Sequence, residues 1–430
     1  YLRIPLLYIT SINSFLYLCG LLVCSERINV ITSLICCSLS LIILILIIIN
    51  KKLNNKTKLV RYLILALVVG NIMYYGLDLY TSIGKNYAED FVKQNEIMSN
   101  YNNLDGKIKN YDKAIEKIKE KDDGFYRISN SLYTNTNVAL IHNYNALSAY
   151  LSVGNKYIGQ LCKQLNNRAY NSDTNPLREL DSRTKITTIL GNKYYITAKG
   201  KEDYVPYGYE KIDTIEKNTK VYENTKSLPI GVFYDNYTTS KDYEGLSALE
   251  KEQALLDTAV IDDENIKDKL VNIIHNENLV EEIKNKTTKT VNYEIKDEEK
   301  IIKTAEEQKE EDSKNKKNKS KGTKEYKDKI EVTKEKQSIE LSINKVKDCE
   351  LYVEIKNFKA KSDNKYEVEF EYGNVSKSKT VRDAIDDPYY IKTDDILVNL
   401  GYKAKHSENI KIIFKTVGEY TYDEIKVIAV

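Results

Sequence analysis

The sequence predicts a membrane-embedded α-helical N-terminus, an extracytoplasmic α/β (α+β) domain and a C-terminal antiparallel β-sandwich. Three observations carry this expectation. Residues 1–83 hold three apolar stretches, Ile4–Cys24, Val30–Ile49 and Val60–Leu79, each close to the ~20 residues a helix needs to cross hydrocarbon. Residues 84–296 mix helical periodicity with short runs rich in Tyr, Val and Ile. Residues 338–430 carry short alternating strands joined by polar turns. Between the last two lies a charged segment, 297–337, read as a linker.

The membrane part has a predicted orientation. Lys51, Lys52, Lys56, Lys58 and Arg61 stand between the second and third stretches, whereas the first loop carries only Glu26 and Arg27. Basic loops stay on the cytoplasmic side, so residues after about 80 are expected outside the cell. The chain opens on Tyr1 and runs into an apolar helix without a signal-peptide pattern, which reads as part of a longer membrane protein. Thr10, Ser11, Asn13, Ser14 and Asn71 read as hydrogen-bonding groups between helices, with a lipid-carrier path as the alternative. Asp78 reads as an interfacial carboxylate at the outer end of the third helix.

Further along, Tyr101, Leu104, Ile108, Tyr111, Ile115 and Ile118 recur at intervals of three and four, one face of a helix that Asp122, Asp123 and Gly124 end. Its mixed Lys/Glu polar face suits packing on a soluble domain better than lying along a bilayer. Val138–Tyr150, Tyr157–Leu165 and Leu246–Thr258 read as helices, and Lys193–Thr197, Lys220–Glu223 and Ile230–Tyr234 as strands. Asp297–Gln337 nearly lacks apolar residues and cannot offset its ordering entropy, so most of it is expected disordered or loosely helical. Tyr366, Val368, Phe370 and Tyr372 alternate with glutamates in a half-buried strand. Ser338–Ile343, Leu351–Ile355, Ile396–Leu400, Ile410–Phe414 and Tyr420–Val430 supply the remaining strands.

Composition narrows the function classes. Lys+Arg 65 against Asp+Glu 63 leaves a net charge of +2, without the concentrated positive field that nucleic acid requires. Tyr 35 with Trp 0 fits an AT-rich codon bias, so tyrosine abundance is weak support for a sugar-binding surface. Of the cysteines, only Cys162 and Cys349 lie outside the apolar stretches, and whether they pair is open. His142, His275 and His406 are far apart, so no Cys/His group has metal-ligand spacing. Phosphate loops, GxSxG and HExxH strings are absent from the sequence.

Several short strings then occur in a fixed order: Phe125-Tyr126-Arg127, Asn143-Tyr144, Tyr150 to Ser152, Asn155-Lys156-Tyr157, Leu190 to Thr197, Val221 to Asn224, and Leu228-Pro229. Taken together they resemble YfhO-type bacterial membrane proteins, over roughly Ile4 to Val260. That resemblance implies a polytopic plasma-membrane glycosyltransferase of the GT-C superfamily. Such an enzyme takes a sugar from a polyprenyl-phosphate carrier and gives it to an envelope polymer, for example teichoic acid, on the outer face. The implied partners are the lipid bilayer, the polyprenyl-phosphate-linked sugar and the polymer acceptor, with no nucleic acid. It also implies that the acidic catalytic residues sit in an early outer loop, upstream of this stretch, so no catalytic residue and no metal ligand is assigned. The cofactor is left open: in the full-length enzyme a divalent cation would hold the leaving phosphate. The alternative is a non-enzymatic, membrane-anchored protein that binds an envelope glycan.

The acceptor-binding candidates are Arg127, Asn130, Asn143, Tyr144, Glu223 and Asn224. Arginine gives a planar donor fork, and Asn and Glu give directed acceptors suited to sugar hydroxyls and phosphates. The competing reading is structural, with Arg127 paired to Glu223 and the Asn side chains capping helices or turns. Tyr194, Tyr195 and Tyr222 read as core strand residues. The acidic groups Asp122-Asp123, Asp262-Asp263-Glu264, Asp386-Asp387 and Asp394-Asp395 read as helix ends or solvated turns.

Overall fold

The computed structural model describes residues 58–80, 107–131, 138–148, 155–167, 180–215, 218–262, 273–314, 328–360, 366–381 and 393–430, with scattered positions between 38 and 52. The chain divides into two units, Tyr1–Gly106 and Lys107–Val430. In the first, α1 (Lys58–Tyr80) is a 23-residue helix over the third apolar stretch, with Leu65, Ile72 and Met73 exposed. Among the described residues no helix is long and apolar enough to cross a membrane, so the expected spans are not shown as spans. Ile4–Cys24, most of Val30–Ile49, and the side chains of Asn71 and Asp78 lie outside the described residues.

The second unit is mostly sheet. α2 (Lys107–Lys121) packs Ala114, Ile115 and Ile118 against Tyr126, Ile128, Tyr194, Ile196, Ile215 and Val221. Each fully buried aliphatic side chain there contributes about 1.5–3 kcal/mol. The sheet beneath has the order β1-β2-β4-β3, with β1 (Arg127–Asn130) parallel to β2 (Asn192–Ala198). β3 (Tyr209–Ile215) and β4 (Thr219–Asn224) complete it in antiparallel fashion. Tyr194 and Tyr195 are buried.

The connections depart from the sequence reading at two places. The helix expected over Val138–Tyr150 is only α3 (Val138–His142), because Asn143 turns to φ +53, which a helix cannot accommodate. α4 (Lys156–Gln164) is capped by Asn155, whose Oδ1 accepts the Tyr157 N–H at 2.9 Å, and α5 (Thr184–Ile189) leads into β2. The strand expected at Ile230–Tyr234 does not form. Pro229 and Gly231 interrupt it and leave Ile230 and Phe233 exposed.

A second, parallel sheet follows, ordered β6-β5-β7. β5 (Asn236–Thr239) leads through α6 (Ser240–Glu244) and α7 (Ala248–Asp257) to β6 (Ala259–Ile261). β7 (Ile274–His275) and α8 (Leu279–Thr287) close it. A capping box starts α7: the Ser247 N–H donates to Glu250 Oε2 at 2.7 Å, and the Glu250 N–H donates to Ser247 Oγ at 3.4 Å.

The sandwich begins earlier than composition suggests. β8 (Lys289–Val291), β9 (Tyr293–Lys296), β10 (Ile302–Lys303) and β11 (Lys329–Val332) are all strands of it. Within the described part of 297–337, β10 and β11 depart from the expected linker by pairing as strands, while α9 (Ala305–Lys314) is the helical character that expectation included. The physical reason is placement rather than abundance: Ile301, Ile330 and Val332, three of the segment's few apolar residues, are at most 2% exposed and sit in the sandwich core. The remaining strands are β12 (Gln337–Ile343), β13 (Val346–Lys356), β14 (Lys359–Ala360), β15 (Tyr366–Tyr372), β16 (Val375–Val381), β17 (Ile396–His406), β18 (Ile410–Phe414), β19 (Gly418–Thr421) and β20 (Glu424–Ala429). They pair antiparallel in the orders β10-β11-β19-β14, β16-β15-β18-β12-β9 and β17-β13-β20-β8. Tyr420–Val430, read as one strand, is two.

α7 lies on the outer face of β13 and β17, where Ala248 and Leu249 meet Tyr352 and Leu397. A buried ionic seam joins the same faces. Arg183, 1% exposed, donates from Nη1 to Leu165 O at 2.5 Å and to Glu252 Oε1 at 3.0 Å, and from Nη2 to Asn166 O at 3.2 Å. Asp181 pairs with Lys377 and Lys379, both at 3.2 Å, and accepts the Asn399 N–H at 2.8 Å. Burial works against the Asp181 charge, but Lys377, Lys379 and Arg183 outweigh it and hold the carboxyl below the ordinary carboxylate range. Glu350 accepts from Thr184 Oγ1 at 2.7 Å and from the Tyr352 hydroxyl at 3.1 Å.

Candidate functional site

Four of the seven strings of the sequence reading meet at one corner of the first sheet, and Tyr150 to Ser152 lie outside the described residues. β1 delivers Arg127 beside the β2 start, where the Arg127 N–H donates to Gly191 O at 2.9 Å. The chain then returns after β4, and the Leu228 N–H donates to Thr188 O at 2.9 Å. Gly191 is required between them. Its φ is +66, and a Cβ there would meet Leu228 O at 2.9 Å. Phe125-Tyr126-Arg127, Leu190 to Thr197, Val221 to Asn224 and Leu228 thus pack as one corner.

Arg127 is half-buried. One guanidinium nitrogen, Nη1, donates to Leu190 O, and the guanidinium carbon stands 5.0 Å from the centre of the Phe125 ring. That ring is 49% exposed, so the stacked pair presents itself outward. Burial lowers the Arg127 pKa, yet a guanidinium remains charged at any physiological pH.

Beside it lies a cluster of alternating charge. Asp122 Oδ2 accepts from Lys193 Nζ at 2.6 Å and from the Tyr194 hydroxyl at 2.9 Å, while Oδ1 accepts the Gly124 N–H at 3.0 Å. Glu223 pairs with Lys121 at 2.5 Å and Lys193 at 3.7 Å. Burial opposes the Asp122 charge, and the bonds from Lys193, Gly124 and Tyr194 outweigh it and lower its pKa. Burial and the Asp122 carboxylate raise the Tyr194 phenol. The Asp122 hydrogen bond in turn raises Lys193 above the ordinary ammonium value. Chemically this is a satisfied network. Asp122, held in its charged form, is not poised to take a proton.

The other candidates scatter in role. The Arg127–Glu223 pair of the competing structural reading does not form, since Glu223 faces the lysines instead. Asn224 is 2% exposed; its Nδ2 donates to Thr188 Oγ1 at 2.8 Å and its Oδ1 accepts the Lys226 N–H at 3.0 Å, so it caps a turn. Asn143 supplies the positive-φ turn after α3. Tyr144 packs against the first core, and Asn130 ends β1 opposite Ile196. Phe125 and Lys193 were not among the candidates. Phe125 lies within a quoted string, but its exposure has no sequence signal.

Of the acidic pairs, Asp395 accepts from Lys356 and the Asn357 N–H, both at 2.9 Å, and Asp394 pairs with Lys359 at 3.3 Å. Asp263-Glu264 and Asp386-Asp387 lie outside the described residues. Cys162 and Cys349 are both free and buried, and burial raises the Cys162 thiol to about 12, far from a reactive thiolate. Among the described residues no group of three or more His, Cys, Asp or Glu is placed to hold a metal ion.

Comparison with known proteins gives three findings. The family model described as "Bacterial membrane protein YfhO" matches residues 2–430. "Uncharacterized protein YfhO" of Bacillus subtilis (strain 168) is 32% identical over 147 residues, which are 34% of this chain and 17% of that protein. The match thus spans about a sixth of that relative's length. Among solved structures, TmCBM61 in complex with β-1,4-galactotriose aligns with 31% of this chain and 86% of its own at 15% identity and TM-score 0.19. The arabinofuranosyltransferase AftD from Mycobacteria aligns with 74% of this chain and 31% of its own at 10% identity and TM-score 0.23. Scores this low do not mean a shared fold.

Proposed function

The chain belongs to the YfhO family of bacterial membrane proteins, and from that premise we propose that it is part of a GT-C-type glycosyltransferase of the bacterial envelope. In this reading α1 is membrane-embedded, the second unit lies outside the plasma membrane, and the sugar travels from a polyprenyl-phosphate carrier to a polymer such as teichoic acid. An acceptor hydroxyl attacks the anomeric carbon, the bond to the carrier phosphate breaks, and the proton passes to a carboxylate outside this stretch. A divalent cation, where one is used, would hold the leaving phosphate; among the described residues no group of three or more His, Cys, Asp or Glu is placed to take it.

The part assigned to this chain is holding the acceptor. The observation that carries it is the Arg127 guanidinium, anchored at one nitrogen by Leu190 O and stacked on an exposed Phe125 ring. A fork fixed at one end keeps its geometry while offering further donors to phosphate or hydroxyl oxygens. The ring offers an apolar face to sugar C–H groups.

The experiment is sugar transfer by the full-length protein in membranes, with Arg127→Lys and Arg127→Ala beside wild type. The expected result is an acceptor KM raised about tenfold or more, from loss of a charge-assisted bond, with an unchanged donor KM. An unchanged acceptor KM would remove Arg127 from the acceptor site, and absence of transfer by wild type would remove the enzyme. A second reading, a non-enzymatic glycan-binding module, is favoured by the neutralised Asp122 and Glu223. It predicts retention of the polymer without turnover.

A further inference from the structure

The parallel sheet β6-β5-β7 and its helices concentrate unmatched polar groups. Among the described residues, six buried side-chain atoms of this one region have no hydrogen-bond partner: Asn236 Oδ1, Thr238 Oγ1, Tyr243 OH, Thr258 Oγ1, His275 Nε2 and Thr287 Oγ1. Buried polar atoms are ordinarily paired, so such a concentration calls for a physical reason.

Two of the six belong to residues around one common space. Asn236, at the start of β5, and Thr287, at the end of α8, are among the residues lining a cavity of about 390 Å³, within the size range of ligand pockets, about 300–1,000 Å³. Thr287 itself is only 9% exposed. Gln253 and Asp257 of α7 form another wall, tied together by Gln253 Nε2 donating to Asp257 Oδ2 at 2.9 Å. Asn276 and Glu282 add an amide and a second carboxylate, and Leu279 and Ile283 supply apolar surface.

The charge of this lining selects the ligand class. Among the described residues it holds two carboxylates and no Lys, Arg or His, which disfavours phosphate and sulfate. What remains suits hydroxyls: carboxylates and amide oxygens accept from them, a threonine hydroxyl donates or accepts, and the aliphatic surface meets C–H groups. We propose that this cavity binds one neutral sugar residue, whose hydroxyls pair with Asp257, Glu282, Asn236 and Thr287. The site lies on a different sheet from Arg127, and it does not depend on the transferase reading.

The test uses the full chain in detergent and ligand-observed NMR with glucose, galactose and N-acetylglucosamine. Glycerol 3-phosphate and inorganic phosphate are the charged controls, and a neutral trisaccharide separates a polymer-borne sugar from a free one. At least one neutral sugar is expected to bind, and phosphate is expected not to compete. Asp257→Asn and Thr287→Val should each weaken binding about tenfold. Stronger binding of the trisaccharide identifies a glycan chain as the source, and equal or weaker binding identifies the free sugar; both support the cavity. The proposal falls if no neutral sugar binds, if phosphate binds equally well, or if both cavity variants bind like wild type. In the last case, Thr287→Val with raised thermal stability would mark the hydroxyl as a packing fault. Since the transfer assay varies only Arg127, failure here leaves the transferase reading untouched.

Discussion

Arg127 and Arg183 are two arginines of the same unit put to opposite uses. Each donates to backbone carbonyls, Leu190 O in one case and Leu165 O and Asn166 O in the other. Arg183 is then sealed by Glu252 with 1% exposure, whereas Arg127 stops at one carbonyl and leans on an exposed ring. A guanidinium whose two terminal nitrogens are taken up by the fold, as in Arg183 with only its buried Nε left unpaired, is a structural element, and one left open to solvent is a recognition element. What differs is how many of its donors the surrounding backbone and carboxylates have taken up.

The largest expected effect breaks the seam. Arg183→Ala strands the Glu252 charge in the interior and should cost about 3–5 kcal/mol, against about 1 kcal/mol for Arg127→Ala. Urea denaturation of the full chain decides this, and equal losses would make the Arg127 corner as structural as the seam. Next comes Gly191→Ala, where the strained φ and the Leu228 carbonyl together should cost about 1–3 kcal/mol. Because that change moves Arg127, polymer retention should fall with it. Phe125→Ala sharpens the contrast from the other side. Stability should change by no more than about 0.5 kcal/mol, while retention in a teichoic-acid pull-down falls roughly fivefold, the worth of about 1 kcal/mol of ring contact.

The smallest effect is a pH dependence at the seam. Burial raises the Glu350 carboxyl, although bonds from Thr184, Tyr352 and Asn399 oppose it. The folded state then holds this proton more tightly than the unfolded one, so stability falls as pH climbs from the ordinary glutamate value through the raised one. Glu350→Gln should remove that fall, and the two stability curves should diverge across the window and run parallel above it. Asp181, held low, acts in the opposite sense: its contribution is present above the unfolded aspartate value and fades as pH drops through the folded one.

Much of the element structure was legible before any coordinates. The Ile115/Ile118 face of α2, the helix within Leu246–Thr258 and the alternation of β15 follow from local periodicity, which needs only neighbours in sequence. The misses share a cause. Ile230–Tyr234 has strand composition but no partner, while β10 and β11 have poor composition and good partners, because pairing is settled far along the chain. The same holds for the site. Arg127 was visible as a residue type, yet its openness, and the diversion of Glu223 to Lys121 and Lys193, depend on contacts with distant residues.

By itself, then, the sequence determined an apolar N-terminal part, a mixed domain and a β-rich end, together with family membership carried by strings in a fixed order. Tertiary structure alone decided that β13 is buried on both faces, its run from Cys349 to Ile355 covered by the sandwich core on one side and by α7 and the seam on the other. It also decided which arginine is sealed and which stays open. The reason is physical: propensity and periodicity act over a few residues, whereas burial and charge pairing depend on what a distant segment brings alongside.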